Sequence, residues 1–270
     1  MGFGTLQPDE GLAIAFGWNA RGAIFHARKN GAAAGLALAK VISTLRLSAP
    51  ERPVHVMAHS LGIEPVLEAL HHLPVRSVDR ILSLTGASHV SRVEAALETP
   101  AGRTCQFFNI TSRENDAFDF LFERTAVSTL PGDQAIGAGV TAPNAVTLQL
   151  DCDQTLRHLA RLGSAIAPAR RRICHWSSYT RPGVMKFYSR LLRQPETLPL
   201  SRIRAGLPAT TAPRWSRLLA VHSEGRYLSK TTRQAYEASV SLASSPYVLK
   251  RLLWVMKKMK IATVRPNVLK

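Results

Sequence analysis

Along the first 150 residues, short unbroken apolar runs alternate with longer stretches in which apolar residues recur every three or four positions. A short run with no polar interruption suits a strand buried on both faces, and a three-to-four spacing suits a helix with one apolar stripe. Their alternation is the signature of βαβ units, and predicts a mostly parallel sheet flanked by helices. Five runs read as strands: Leu12 to Phe16, Val54 to Ala58, Arg80 to Thr85, Cys105 to Ile110 and Val146 to Leu150. The first helix is expected over Ile24 to Leu47, with Leu36, Ala39, Val41 and Leu45 as its apolar positions in spite of Gly31 and Gly35. Others are expected over Leu61 to His71, Ser91 to Glu98, Ala117 to Val127, Gln154 to Leu162 and Met185 to Arg193.

Beyond Arg193 the texture changes. Pro195, Pro199, Pro208 and Pro213 predict a surface strap or linker. Helical patterning resumes from Tyr227 to Ala243, breaks at Ser244-Ser245-Pro246 and continues to about Ile261. The expected organisation is therefore an α/β domain over 1–193, a Pro-rich strap over 194–219 and a basic helical extension over 220–270.

Composition and charge refine this picture. Of the 270 residues, 46% are hydrophobic and 20% charged, which is the balance of a chain that buries a core. The formal charge of +17 is unevenly spread, because residues 220–270 hold ten Lys and Arg against Glu224 and Glu237. Within that tail, Val248, Leu252, Val255 and Met259 recur at helical spacing beside Lys250, Arg251, Lys257, Lys258 and Lys260. Such a helix suits either an anionic membrane surface, with Trp254 at headgroup depth, or docking on the core with solvated lysines. Nucleic acid is not expected as a partner, since no reading motif or aromatic interleaving accompanies the charge. Arg170-Arg171-Arg172 reads as a solvated turn. Three scattered cysteines, Cys105, Cys152 and Cys174, suggest neither a disulfide framework nor zinc. No basic leader and no apolar run of spanning length is visible, so the expectation is a cytoplasmic protein, peripheral to the membrane at most, without metal or cofactor.

The most informative pentapeptide is Ala58-His59-Ser60-Leu61-Gly62, which fits the small-x-Ser-x-Gly nucleophile elbow. It follows an apolar run and precedes a helical pattern, the strand–turn–helix setting that exposes a serine hydroxyl above a sheet. The same turn aims the backbone N–H of Leu61 to where an oxyanion would develop. Pro65 is tolerable only in the first turn of the helix that follows. A serine hydroxyl becomes nucleophilic when a histidine takes its proton and a carboxylate orients that histidine. The loop after the fourth strand, Thr111-Ser-Arg-Glu-Asn-Asp116, offers Asp116, with Glu114 as the runner-up and Asp119 as a first-turn helix residue. For the base, His175 lies in a junction ahead of a helix, whereas His158 falls within a helix beside Arg157 and Arg161 and reads as a surface histidine.

On Ala58-His-Ser-Leu-Gly62, Asn109-Ile-Thr-Ser-Arg-Glu-Asn-Asp116 and His175-Trp-Ser-Ser-Tyr179, in that order, the chain resembles the α/β-hydrolase superfamily, and within it uncharacterised bacterial serine-hydrolase-like members. The resemblance spans about Leu12 to Leu192. It implies Ser60 as nucleophile, Asp116 as acid and His175 as base, with His59 turned away from the site. The region of Phe118, Leu121 and Phe122, read as core, would also border an acyl pocket in such a protein.

One departure stands out. The family carries, ahead of the strand that Leu12 to Phe16 resembles, another strand ending in a His-Gly-type loop that supplies the second oxyanion donor. Neither precedes Leu12 here, so a gap is expected in the sheet between Leu12–Phe16 and Val54–Ala58. The chain would then be an N-terminally shortened member, or one in which Leu12 to Phe16 takes the central place and Gly17 to Gly22 supply the loop, or a non-catalytic relative. The expected function is hydrolysis of an ester or related acyl bond of a small molecule through an acyl-enzyme on Ser60. The alternative is a silent scaffold that binds an anionic membrane or acidic partner through its basic tail.

Overall fold

In the computed structural model of the chain, four strands form one sheet in the order β1-β2-β3-β4, every neighbour parallel. The structure describes residues 11–20, 24–126, 128 and 130–215, and among these the side chains of 24–27 lie outside the description. The chain divides into units Met1–Leu219 and Ala220–Lys270, so the whole basic extension, with its expected membrane-facing helix at Tyr247 to Ile261, lies outside the described residues. Among the described residues no helix is long and apolar enough to cross a membrane.

The strands are β1 (His55–His59), β2 (Arg80–Leu84), β3 (Gln106–Thr111) and β4 (Ala145–Gln149). Each lies within one residue of its expected place. Side chains alternate across a pleat, and the sequence pattern follows this alternation. Ile81 and Phe107 enter one core with Ala145, whereas Leu82, Leu84, Phe108, Ile110, Val146 and Leu148 enter the other. Burial on both faces explains why the central strands read as unbroken apolar runs.

The first core is closed by α1 (Ile24–Ser48), α2 (Ile63–Leu70) and α3 (Val90–Leu97), with a short α4 (Pro100–Thr104). The buried stripe of α1 runs through Gly31, Gly35, Leu38, Ala39 and Ile42, and the expected apolar position Leu36 is exposed. The glycines are therefore part of the packing face. A Cβ built at Gly35 would lie 2.4 Å from Glu68 Cβ, so α1 and α2 approach more closely than an alanine permits. Pro65 sits in the first turn of α2, where its missing N–H has no intrahelical partner to lose.

The second core is closed by α6 (Asp153–Arg161), α8 (Val184–Arg193) and α9 (Leu200–Arg204), and the remaining helices are α5 (Asp116–Thr125) and α7 (Ser177–Thr180). The Pro-rich segment, described to Trp215, buries Leu198, Leu200 and Ile203 against this core. The Arg80 guanidinium reaches up from β2 to donate to the carbonyls of Leu191, Pro195 and Leu198. His158 is not a surface histidine: it is buried, and its Nε2 lies 2.9 Å from the Ile203 carbonyl oxygen of α9.

One expected strand is absent. Leu12 to Phe16 has no strand structure, and Leu12 and Ile14 are 74% and 51% exposed. An extended segment is a strand only when a neighbour takes its backbone hydrogen bonds, and among the described residues none pairs with it. The sheet therefore has no internal gap; β1, which carries the elbow, is an edge strand of the described sheet, with Met57 partly exposed.

Candidate active site

Three loops converge at the carboxyl ends of the strands, where ligands bind in sheets of this kind. The first follows β1. His59 is extended, Ser60 has φ 54°, and a helical turn, Ser60–Gly62, leads into α2. A left-handed serine is the backbone signature of a nucleophile elbow, and this is the strand–turn–helix arrangement the pentapeptide predicts. Ala58 and Gly62 face one another: a Cβ at Gly62 would stand 3.9 Å from that of Ala58, an ordinary contact. The Ser60 carbonyl is tied to the loop after β2 by the Ala87 N–H at 3.0 Å. Leu61 is the second residue of the helical turn, where N–H groups lack intrahelical acceptors, and its side chain packs with Phe122, Ala126 and Ala135.

The second loop carries His175. Its backbone carbonyl accepts from His59 Nε2 at 3.1 Å and from Thr85 Oγ1 at 3.3 Å, so the ends of β1 and β2 both hold it. The His59 ring packs on that of His175 with centroids 4.5 Å apart, and Phe118 stacks on His175 at 4.6 Å. His59 also meets Tyr179 edge-on at 4.9 Å. His59 is thus turned toward His175, in place of the expected turn away from the site. Among the described residues no hydrogen bond joins Ser60 Oγ to His175. Apo catalytic contacts are commonly loose and tighten with substrate.

The third loop, after β3, differs from expectation in which side chain meets the histidine. His175 Nδ1 lies 2.7 Å from Asn115 Oδ1, and Asn115 Nδ2 donates to Asp119 Oδ1 at 2.9 Å. Asp116 instead accepts from Arg113 at 3.0 Å and from the backbone N–H of Trp215. The cause is local. Ser112 caps a short helical turn, Arg113–Asn115, that runs straight into α5. Positions 115 and 119, four apart, then share one face, and 113 and 116, three apart, share another. Glu114 is buried elsewhere, paired with Arg181 and accepting from the Arg171 N–H at 3.1 Å.

These groups titrate far from their usual ranges. Burial, with His59 as a smaller cause, lowers His175 to about 3, so its imidazole is neutral at neutral pH. Burial raises Asp119 to about 7 and Asp116 to about 6, the latter in spite of Arg113. Asn115 accepts through Oδ1, which requires the proton on Nδ1 and leaves Nε2 unprotonated; this is the tautomer a general base needs. Residues Gly17–Ala20, one expected source of a second oxyanion donor, make contacts with α1: Asn30 Nδ2 donates to the Asn19 carbonyl at 3.0 Å, and a Cβ at Gly31 would lie 3.9 Å from Trp18. Residues 21–23 lie outside the described set. Among the described residues no cluster of His, Cys, Asp and Glu is arranged to hold a metal.

A parallel sheet with helices on both faces, and a left-handed serine between strand and helix at its carboxyl edge, define an α/β-hydrolase scaffold. A family model, described as alpha/beta hydrolase of unknown function (DUF900), matches residues 5–96, about a third of the chain that includes the elbow. Over those residues the match supports membership of the α/β-hydrolase superfamily. No curated protein and no solved structure matches it.

Proposed function

We propose that the protein is a serine hydrolase that cleaves an ester or related acyl bond of a small molecule. The observation that carries this reading is the left-handed backbone of Ser60, a conformation that costs a non-glycine residue energy and recurs where a nucleophile must project from a turn. Ser60 Oγ attacks the acyl carbon while its proton passes to His175 Nε2, and the Leu61 N–H stabilises the oxyanion. The carbon–oxygen bond to the leaving group then breaks, and the departing oxygen takes the proton from His175. Water attacks the acyl-enzyme by the same route and releases the acid.

Asn115 holds the His175 tautomer, in the place where sequence reasoning put Asp116. A neutral amide there stabilises the imidazolium less than a carboxylate would, so the base is always available near neutral pH but weak. Phe118, stacked on His175, gives the acyl group an apolar wall.

A fluorophosphonate probe tests the reading without knowledge of the substrate. One covalent adduct per folded chain is expected, on Ser60, and none in Ser60→Ala. Folded protein that gains no Ser60-dependent adduct would leave a silent scaffold instead.

A further inference from the structure

His175 and Asn115 meet each other, whereas their chain neighbours Cys174, Trp176 and Glu114 line a cavity of about 390 Å³. Neither His175 nor Asn115 lines it. This volume lies in the range of small-molecule sites.

Its lining is charge-biased. Arg170, Arg171 and Arg181 face it, against one acid, Glu114. That acid is already engaged: Oε1 accepts from the Arg171 N–H at 3.1 Å, and Oε2 accepts from the Ser112 hydroxyl at 3.2 Å and pairs with Arg181. Glu114 and Arg181 therefore neutralise each other at the wall, and the Arg170 and Arg171 guanidiniums supply the remaining charge, on an exposed turn. Two further features do not suit a merely solvated turn. Trp176 is 36% exposed and presents a flat apolar surface to the same cavity. Ser177, also in the lining, is 6% exposed, and its hydroxyl has no hydrogen-bond partner. Buried hydroxyls are rarely left unpaired.

We infer that this cavity is a binding site for a small organic anion, whose phosphate or carboxylate lies between Arg170 and Arg171 and whose planar or apolar part lies on Trp176. Guanidiniums bind such groups in bidentate fashion, and an indole face accepts a flat ring. Ser60 does not line the cavity, and the inference does not rest on the hydrolase reading.

Direct binding to the full chain tests it, with phenyl phosphate as the anionic probe and phenol as its uncharged counterpart. Saturable one-to-one binding of phenyl phosphate by calorimetry is expected, at least tenfold tighter than phenol. The double variant Arg170→Ala/Arg171→Ala should weaken it tenfold or more. The charge-matched pair Arg157→Ala/Arg161→Ala, on exposed positions of α6, should leave it within twofold. Ligand-dependent quenching of tryptophan fluorescence should disappear in Trp176→Phe, and circular dichroism checks that each variant is folded. Absence of saturable binding, equal weakening by the two arginine pairs, or quenching that persists in Trp176→Phe would overturn the inference.

Discussion

The loops after β1 and β3 both end at the carboxyl edge of the sheet, yet they hold their functional side chains by different means. The β1 loop relies on backbone geometry: Ser60 is left-handed, partly exposed and followed at once by a helix. Its strand lies at the edge of the described sheet. The β3 loop relies on buried charge: residues Thr111 to Asp116 are all buried, and Arg113, Glu114 and Asp116, with Asp119 one turn into α5, are fixed by specific partners. A nucleophile needs access and one exposed atom, which a strained turn supplies. A histidine base needs a fixed ring orientation, which a buried hydrogen-bonded network supplies.

The largest expected effect strikes the charged network. Asp116→Ala leaves Arg113, 1% exposed, without its carboxylate, and breaking such a buried pair costs about 3–5 kcal/mol. Urea denaturation measures it. The rate of fluorophosphonate labelling per folded molecule should hold within a few-fold, because Asp116 makes no contact with His175. If Asp116→Asn instead folds normally and labels about 10⁴-fold more slowly, the orienting role belongs to Asp116.

Next in size is Asn115→Ala. Loss of its carbonyl frees the His175 ring and its tautomer, and labelling should slow by about 10²-fold with little change in stability, at the lower end of what a positioned base contributes. An unchanged rate would show that the histidine is held by its ring contacts with His59 and Phe118 alone.

Asp119→Asn touches His175 at one remove, through Asn115. A hydrogen bond to a charged group is worth about 1.5–3 kcal/mol when made well, so labelling at pH 8 should slow by about tenfold. The pH dependence of stability adds a second readout. Between the ordinary carboxyl range and about pH 7 the folded state holds a proton on Asp119 that the unfolded chain has lost, so stability falls as pH rises through that window. Asp116, raised to about 6, acts in the same direction. His175, lowered to about 3, acts oppositely: the unfolded chain binds the extra proton between about 3 and 6.5, and stability rises with pH there. Asp119→Asn should therefore gain stability relative to the parent as pH rises from about 4 to 7. A constant difference across that range would mean that Asp119 titrates normally.

The same contrast governs what was legible in the sequence. The elbow is contiguous, so Ala58 to Gly62 and the strand before it announce it directly. The four paired strands follow from apolar runs buried on two faces. Leu12 to Phe16 carries an equally good run, but a strand also needs a partner, and no local pattern reports that. The histidine's partner is a matter of phase: whether a capped turn or an extended loop precedes α5 decides if position 115 or 116 faces His175, and the run Glu114-Asn115-Asp116 suits both. Asn115 and Asp119 stand four apart in the sequence, a spacing that would single them out once the turn at Arg113 is known. The Gly31 and Gly35 face of α1 was similarly hidden, because a glycine stripe carries no hydrophobic signal.

The smallest effect isolates the strain of the elbow from its chemistry. A non-glycine residue in the left-handed region costs roughly 1–2 kcal/mol relative to its preferred conformations, and glycine escapes most of that cost. Ser60→Gly should therefore raise stability, by about 1 kcal/mol once glycine's greater unfolded-state entropy is offset, whereas Ser60→Ala keeps φ near 54° and should gain nothing. Both variants lose the nucleophile, so their difference in urea midpoint reads backbone strain less glycine's extra unfolded-state entropy. A Ser60→Gly variant less stable than Ser60→Ala, by glycine's entropy cost of roughly 0.5–1 kcal/mol, would mean that the turn is unstrained at Ser60 and that its left-handed backbone no longer argues for a nucleophile.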